Sequence, residues 1–299
     1  MQNKILFSII IPTYNRASFI TKTIHSVLNQ SYPNFELIIV DDGSTDNTEE
    51  CVKSIKDNRI SYYKKENGER AKARNYGTAL AKGDYVNFLD SDDILFSNHL
   101  DEAFKIIINS KSAEIFHLNF DIRNEDEKIL SKPKMIKGDL NLQLVKKGNL
   151  LSCNGVFIRK DIAILYPFNE DRALSASEDY DLWLRLAARY KIQYSNTVTS
   201  SILNHDLRSV LNFDKDVLIK RLNLFIKYVF NDDIFSTMFG RYKSLMIAHT
   251  YSYIALHISL TGKNKFTSLH YLIKAFGTNY SVVYSKRFYA GIIKILTNF

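Results

Sequence analysis

The chain opens in alternating blocks of apolar run and amphipathic stretch. Phe7 to Ile11, apolar except at Ser8, has the pattern of a strand covered on both faces. Ile20, Ile24, Val27 and Leu28 follow at i, i+4, i+7 and i+8, which predicts a helix with one buried stripe. A second apolar run, Leu37 to Val40, stops at Asp41-Asp42-Gly43-Ser44, and Thr45 or Asp46 can cap the helix expected through about residue 56. Ile60 to Tyr63 predicts a third strand, residues 70–82 a helix, and Tyr85 to Leu89 a fourth strand ending at Asp90-Ser91-Asp92-Asp93. Such alternation with short connections implies a parallel sheet. Ligands on these sheets bind beyond the carboxyl ends of the strands. Here those ends carry three polar clusters, Pro12 to Arg16, Asp41 to Ser44 and Asp90 to Asp93.

The pattern is more mixed from about 97 to 205. It predicts a helix at 98–110, a strand near 114–120, and a loop or hairpin from Asp121 to Gly138. Val156 to Ile158 reads as another strand. Asp179 to Tyr190, with Leu182, Arg185 and Leu186 in phase, reads as a helix with Glu178 and Asp179 at its start. After residue 213 the period is helical: Leu218, Leu222, Phe225 and Val229 recur at i, i+4, i+7 and i+11. Further helices are expected around 234–260, 264–276 and 284–297. The expected division is therefore 1–210, an α/β body, and 211–299, a helical region; no internal repeat or low-complexity tract is seen.

Composition narrows the class. With 45% hydrophobic and 24% charged residues among 299, a core can form and global disorder is excluded. Two cysteines, Cys51 and Cys153, are too few for a disulfide framework or a zinc ribbon, and both are expected reduced in a cytosolic protein. The net charge of +8 is not spread evenly. Residues 1–210 carry 28 Lys/Arg and 28 Asp/Glu, whereas 211–299 carry 12 against 4, together with 17 of the 37 Phe and Tyr. A basic, aromatic tail of this kind suits either an acidic membrane surface or a phosphorylated acceptor, or simply solvated helix faces. A nucleic-acid binder would need a cationic stripe with stacking aromatics, but these aromatics fall at core-forming helical phase, so no nucleic acid is expected as a partner. Leu245 to Leu260 is too short and too often interrupted by polar residues to span a bilayer. Met1 to Lys4 before the first apolar run imitates a signal peptide, yet no small-residue cleavage site follows. The expected location is cytoplasmic, with peripheral contact on the inner membrane face as an option.

Asp90-Ser91-Asp92, with Asp93 beside it, crowds carboxylates that must be solvated, share protons or hold a cation. A hard divalent ion such as Mg²⁺ or Mn²⁺ takes one or two protein carboxylates plus substrate phosphates. An acidic turn capping the next helix would look the same; its position after the fourth apolar strand is what favours a site.

Five motifs taken together resemble the glycosyltransferase family 2 enzymes, which adopt the GT-A fold. They are Ser8-Ile9-Ile10-Ile11-Pro12-Thr13-Tyr14-Asn15-Arg16, Val40-Asp41-Asp42-Gly43-Ser44-Thr45-Asp46, Ala73-Arg74-Asn75, Gly83-Asp84-Tyr85 leading to Leu89-Asp90-Ser91-Asp92-Asp93, and Ser177-Glu178-Asp179-Tyr180-Asp181-Leu182-Trp183. They span roughly residues 5–205. The fold implied is a Rossmann-like, mostly parallel sheet flanked by helices, with 211–299 as a helical appendage.

The resemblance implies roles. Tyr14 would pack on the nucleotide base, with backbone near Pro12 reading its edge. Asp42, or alternatively Asp41, would accept from a uracil imide. Arg74 would approach base or diphosphate, with Arg70 one helical turn earlier as a second candidate. The donor contacts would continue through Asp90 and Ser91. Asp92 would bind the metal, Asp90 the ribose or a metal-bound water, and His205 either the metal or diphosphate or nothing, since Asp206-Leu207 departs from the family's usual turn. Asp179 would be the general base, ionised at a helix N-terminus, or else Glu178 and Asp179 would merely cap the helix. Glu178 would bond donor sugar or acceptor, and Trp183 would be core. The implied activity is metal-dependent, inverting transfer of a hexosyl or N-acetylhexosaminyl group from a UDP-sugar to a hydroxyl of a glycan or lipid-linked glycan, in surface polysaccharide synthesis. A catalytically inactive glycan- or nucleotide-binding protein is the alternative. A nucleotidyltransferase is disfavoured because Pro12 to Arg16 stands where a Gly-rich phosphate loop is expected.

Overall fold

The structure, a computed structural model, describes residues 5–110, 113–131, 135–205, 214–261 and 264–297. The signal-like Met1 to Lys4 and the Asp206-Leu207 departure lie outside those residues. The chain divides into two compact units. One comprises Met1–Leu140, Leu151–Leu182 and Tyr190–Arg208; the other comprises Asn141–Leu150, Trp183–Arg189 and Ser209–Phe299.

The first unit holds the sheet. Its strands are β1 (Phe7–Thr13), β2 (Phe35–Asp41), β3 (Ile60–Lys64), β4 (Tyr85–Phe88), β5 (Ile94–Leu95), β6 (Ile115–Asn124), β7 (Ile129–Ser131), β8 (Val156–Arg159) and β9 (Gln193–Asn204). They lie in the order β3-β2-β1-β4-β8-β6-β9-β5, with β7 pairing to β6 as the second arm of a hairpin. The helices up to residue 187 are α1 (Ala17–Leu28), α2 (Thr48–Ser54), α3 (Glu69–Leu80), α4 (His99–Asn109), α5 (Leu140–Lys147), α6 (Lys160–Leu165) and α7 (Glu178–Ala187). Of these, α5 from Asn141 and α7 from Trp183 belong to the second unit.

Pairings among β1 to β4 are all parallel, as the strand–helix alternation predicts. The sheet then turns mixed: β8 runs antiparallel to β4 and β6, and β9 returns parallel to β6. This is a GT-A fold. Along β1 and β2 the side chains alternate faces. Phe7, Ile9, Ile11, Leu37 and Ile39 pack with Ile20, Ile24 and Val27 of α1, each contributing about 1.5–3 kcal/mol on burial. Ile10 points the other way, toward α3, where a Cβ on Gly77 would stand 2.5 Å from its Cγ2. Only glycine lets α3 approach so closely.

Two local expectations are corrected. The cap position of α2 falls to Asn47, later than expected, but the Asn47 side chain makes no capping bond. The Asp46 carboxylate instead accepts from the Thr48 and Ala17 amides, both at 3.1 Å, while the Thr45 amide goes to Asn15 Oδ1. The loop thus spends its polar groups on tying α2 to the start of α1. The helix expected around 234–260 is two helices, α9 (Asp233–Phe239) and α10 (Lys243–Leu260), broken by a 3₁₀ turn at Gly240–Tyr242. Gly240 is a poor continuation residue, which favours the break.

The second unit is helical. α8 (Lys215–Asn231) buries Leu218, Leu222, Phe225 and Val229, the four positions its period selects, and Asp214 caps it by accepting from the Asp216 and Val217 amides. Asp232 caps α9 in the same way. α8, α10, α11 (Lys265–Thr278) and α12 (Lys286–Thr297) share a core that includes Ile254, Ile258, Leu272, Ala275 and Phe288. Among the described residues no helix is long and apolar enough to cross a membrane.

Candidate active site

The sheet register brings the polar clusters to one edge. Thr13 pairs with Asp41 and Ile10 with Phe88, so the segments after β1, β2 and β4 leave the sheet side by side. They are then laced together. The Asn15 amide donates to Ser44 Oγ (2.9 Å), Asn15 Oδ1 accepts from the Thr45 amide (2.8 Å), and Asn15 holds a left-handed φ of 51° to do both. Gly43 at φ +85° completes the second turn. Pro12 is buried at the end of β1, whereas Tyr14 is 46% exposed beyond it.

Asp41 and Asp42 have different partners. Asp41 is fully buried, accepting from the Ser44 amide (2.7 Å) and the Tyr62 hydroxyl (2.6 Å). Burial, followed by the bond to Asp41, raises the Tyr62 pKa. Asp42 accepts from the Gly68 amide at 2.9 Å and pairs with Lys65, while its carbonyl takes Asn67 Nδ2. Asp41 therefore braces the turn, and Asp42 joins it to the segment before α3.

Arg74 joins two distant motifs. It is 1% exposed and donates from Nη1 to Glu178 Oε1 (2.9 Å) and from Nη2 to Asp90 Oδ1 (2.7 Å). The Phe168 ring lies beneath the guanidinium at 5.2 Å. Burial opposes the Arg74 charge, but the Asp90 and Glu178 carboxylates bonded to it more than restore it, so the cation persists. Arg70 approaches the same Glu178 oxygen at 3.7 Å. The planar fork of Arg74 thus ties the loop after β4 to the first turn of α7.

That first turn carries Asp179. Ala176 sits at φ +70°, a left-handed conformation rare for a residue with a Cβ, just before Ser177-Glu178-Asp179. The Asp179 carboxylate accepts from the Tyr180 amide at 2.7 Å. Burial first, then the Glu178 charge, push its pKa up to about 6, while Arg74 and the Tyr180 amide pull the other way. A carboxylate titrating there is ionised at neutral pH and basic enough to accept a proton. One neighbour escapes every sequence motif: Cys153, in the 3₁₀ turn before β8. Burial pushes its thiol pKa well up, and its electrostatic neighbours are Arg74, Asp179, Asp90 and Glu178. A lone cysteine carries no spacing signal that could have placed it here.

Asp92 meets His205, 113 residues away, through Nε2 at 3.0 Å from Oδ2. The His205 ring stacks on Phe19, with centroids 4.3 Å apart, and Arg16 Nε is 3.5 Å from the same Asp92 oxygen. Ser91 is buried, its carbonyl accepting from Thr23 Oγ1 at 3.0 Å. Among the described residues no three His, Cys, Asp or Glu side chains converge as a ready-made cation cage. The donor chemistry fits a hard divalent ion all the same, because Asp92 and the adjacent His205 nitrogen leave most of a coordination shell to phosphate oxygens and water. Trp183, expected in the core, is fully buried.

Residues 8–163, just over half the chain, match the family model for Glycosyl transferase family 2. The chain belongs to glycosyltransferase family 2. An uncharacterised glycosyltransferase of Haemophilus influenzae is 31% identical over 251 residues, covering 77% of this chain and 97% of that protein. Another, of Rickettsia felis, is 33% identical over 203 residues, 64% of this chain. The chain spans about a third of the length of that Rickettsia protein. Among solved structures, S. aureus TarS 1-349 in complex with UDP-GlcNAc superposes with a TM-score of 0.71 at 19% identity, covering 98% of this chain and 88% of that one. The likeness is one of fold. In this family 2 glycosyltransferase the matched residues include Tyr14, Asp42, Arg74 and Asp90 to Asp92; Asp179 and His205 lie beyond them.

Proposed function

We propose that this family 2 glycosyltransferase moves a hexosyl or N-acetylhexosaminyl group from a UDP-sugar to a hydroxyl of a glycan or lipid-linked glycan, with inversion. The observation that carries the proposal is Asp179: a carboxylate pushed up to about 6 on the first turn of α7, held beside Arg74 and Asp90. The donor would lie across the strand ends, its base against Tyr14 and Pro12 and its imide toward Asp42, with Asp90 and Ser91 along the ribose and diphosphate. Arg74, committed to Asp90 and Glu178, would act from beneath this surface by fixing both. Asp92 and His205 would hold a divalent ion, Mn²⁺ or Mg²⁺, with Asp90 beside them. Such an ion, when bound, neutralises charge that develops on the departing diphosphate.

Asp179 would take the proton from the acceptor hydroxyl as its oxygen attacks the anomeric carbon opposite the diphosphate. The C–O bond to the diphosphate breaks as the new glycosidic bond forms. One displacement inverts the centre, so no covalent glycosyl-enzyme is required. Glu178, with its Oε1 on Arg74, would orient sugar or acceptor. A glycan or lipid-linked acceptor agrees with a cytoplasmic enzyme whose basic segment 211–299 faces an acidic membrane.

The experiment is thermal unfolding with UDP, GDP, CDP or dTDP, each with Mn²⁺ or with EDTA, because a ligand bound only by the folded state raises the midpoint. A shift with UDP that requires the metal is expected. A larger shift with another nucleotide moves the donor, and no shift with any of them rejects the donor site.

A further inference from the structure

Folding leaves one region of the second unit strongly apolar on its outside. Nine of the twenty-one exposed large hydrophobic side chains of the described residues lie between Lys265 and Thr297. On α11 they are Phe266 (90% exposed), Leu269, Ile273 and Phe276, spaced i, i+3, i+7 and i+10 along a single stripe. That stripe lies to one side of the buried set Ser268, Tyr271, Leu272 and Ala275, which faces the helical core. α12 repeats the arrangement, with Tyr289, Ile293 and Leu296 exposed and Phe288, Gly291 and Ile295 buried. The turn between them adds two exposed tyrosines. A monomer in water gains nothing from such stripes.

The charge pattern indicates what covers them. From Ile234 to Phe299 the sequence has eight Lys or Arg and not one Asp or Glu. Lys274, Lys286 and Lys294 are exposed on the two helices that carry the stripes. A protein partner or a second copy of this chain is met most readily by a surface with both signs of charge. An acid-free stretch repels its own copy and complements an anionic sheet. Apolar side chains that enter an acyl boundary, tyrosines that suit the headgroup level, and lysines whose stems reach the phosphates form the three parts of an interfacial anchor. We propose that the exposed faces of α11 and α12 dock this protein on an anionic lipid surface. This narrows the membrane contact suggested for 211–299 to a single pair of helices, and it is separable from the donor chemistry.

Flotation of the full chain with vesicles tests it, using phosphatidylcholine alone or mixed with phosphatidylglycerol, over a salt series. Binding is expected only to the anionic vesicles and to weaken as salt rises. Lys286→Gln with Lys294→Gln should weaken it about 25-fold, roughly five-fold per charge. Phe266→Gln with Ile273→Gln should weaken it by at least tenfold. These positions are exposed, so the unfolding midpoint should hold in every variant. Equal binding to neutral vesicles, or none to either kind, overturns the proposal. Anionic binding that both double variants retain overturns the assignment to this face while sparing a wider role for 211–299. Concentration-dependent self-association that the apolar variant abolishes, without vesicle binding by the parent, gives the face to a second copy instead. Nucleotide-induced thermal shifts on the same samples report separately on the donor site.

Discussion

Replacing Asp179 with Asn should remove turnover and strengthen the fold at once. The carboxyl is pushed from 3.8 to about 6 by burial and by the Glu178 charge. Two pKa units correspond to about 3 kcal/mol, which solvent at the partly exposed carboxylate reduces to about 2. The sign follows from proton counting. Between about pH 4 and pH 6 the native state keeps a proton that the unfolded chain has released, so stability falls as pH rises through that window. Above it the full penalty is present, and below it none. Asn carries no such charge, so the variant should be more stable by about 2 kcal/mol at pH 7.5 and indistinguishable at pH 4. For a chain of this length that is a midpoint rise of about 3 °C. Turnover, followed as UDP release with acceptor, should fall by about 10²–10⁴-fold, the usual worth of a general base. In the parent, kcat/KM should rise with pH through a limb near 6 and then level. Turnover retained by the variant, or a midpoint at pH 7.5 no higher than the parent's, would refute the reasoning.

Four further outcomes are expected. Arg74→Met leaves Glu178 and Asp90 facing one another without their shared cation, and should lower stability by about 3–5 kcal/mol; since Arg74 also lowers the Asp179 pKa, any residual activity should show its rising pH limb displaced above 6. Asp92→Asn should abolish the metal-dependent part of the UDP-induced thermal shift, read with Mn²⁺ against EDTA, and leave the metal-free midpoint near the parent's. Phe225→Ala, deep in α8, should cost about 3–5 kcal/mol in denaturant titration. Gly77→Val should fail to fold or unfold at much lower temperature, because even a Cβ would stand 2.5 Å from Ile10 Cγ2 where α3 meets β1.

The strands that organise the site were legible because they are buried on both faces. Dense apolar runs such as Phe7 to Ile11, interrupted only by Ser8, have few alternatives, and each ends at a polar cluster because the sheet ends there. α8 was equally plain, since seventeen residues give its period several turns to repeat. What escaped was short or paid for by partners distant in sequence. α6 has six residues and β5 two, too few to establish a period, and β5 exists through its pairing with Ser200 and Ser201 of β9. His99 and His117 offered no spacing either. The fold encloses both, and burial pushes each down to about 3, so they are neutral interior groups.

The site divides along the same line. Motifs located Asp90, Asp92, Arg74 and Asp179 one by one, but gave no means of knowing that Arg74 bonds Asp90 on one side and Glu178 on the other, across 16 and 104 residues. That junction changes how a substitution should be read. A residue that looks from sequence like a diphosphate ligand is fully buried and already holds two carboxylates, so its loss should disturb the proposed base and the proposed metal loop together. Donor affinity and the pH limb would then shift in the same variant. An arginine that only touched phosphate would alter affinity and leave the limb at about 6, and the pair of measurements on Arg74→Met separates the two roles.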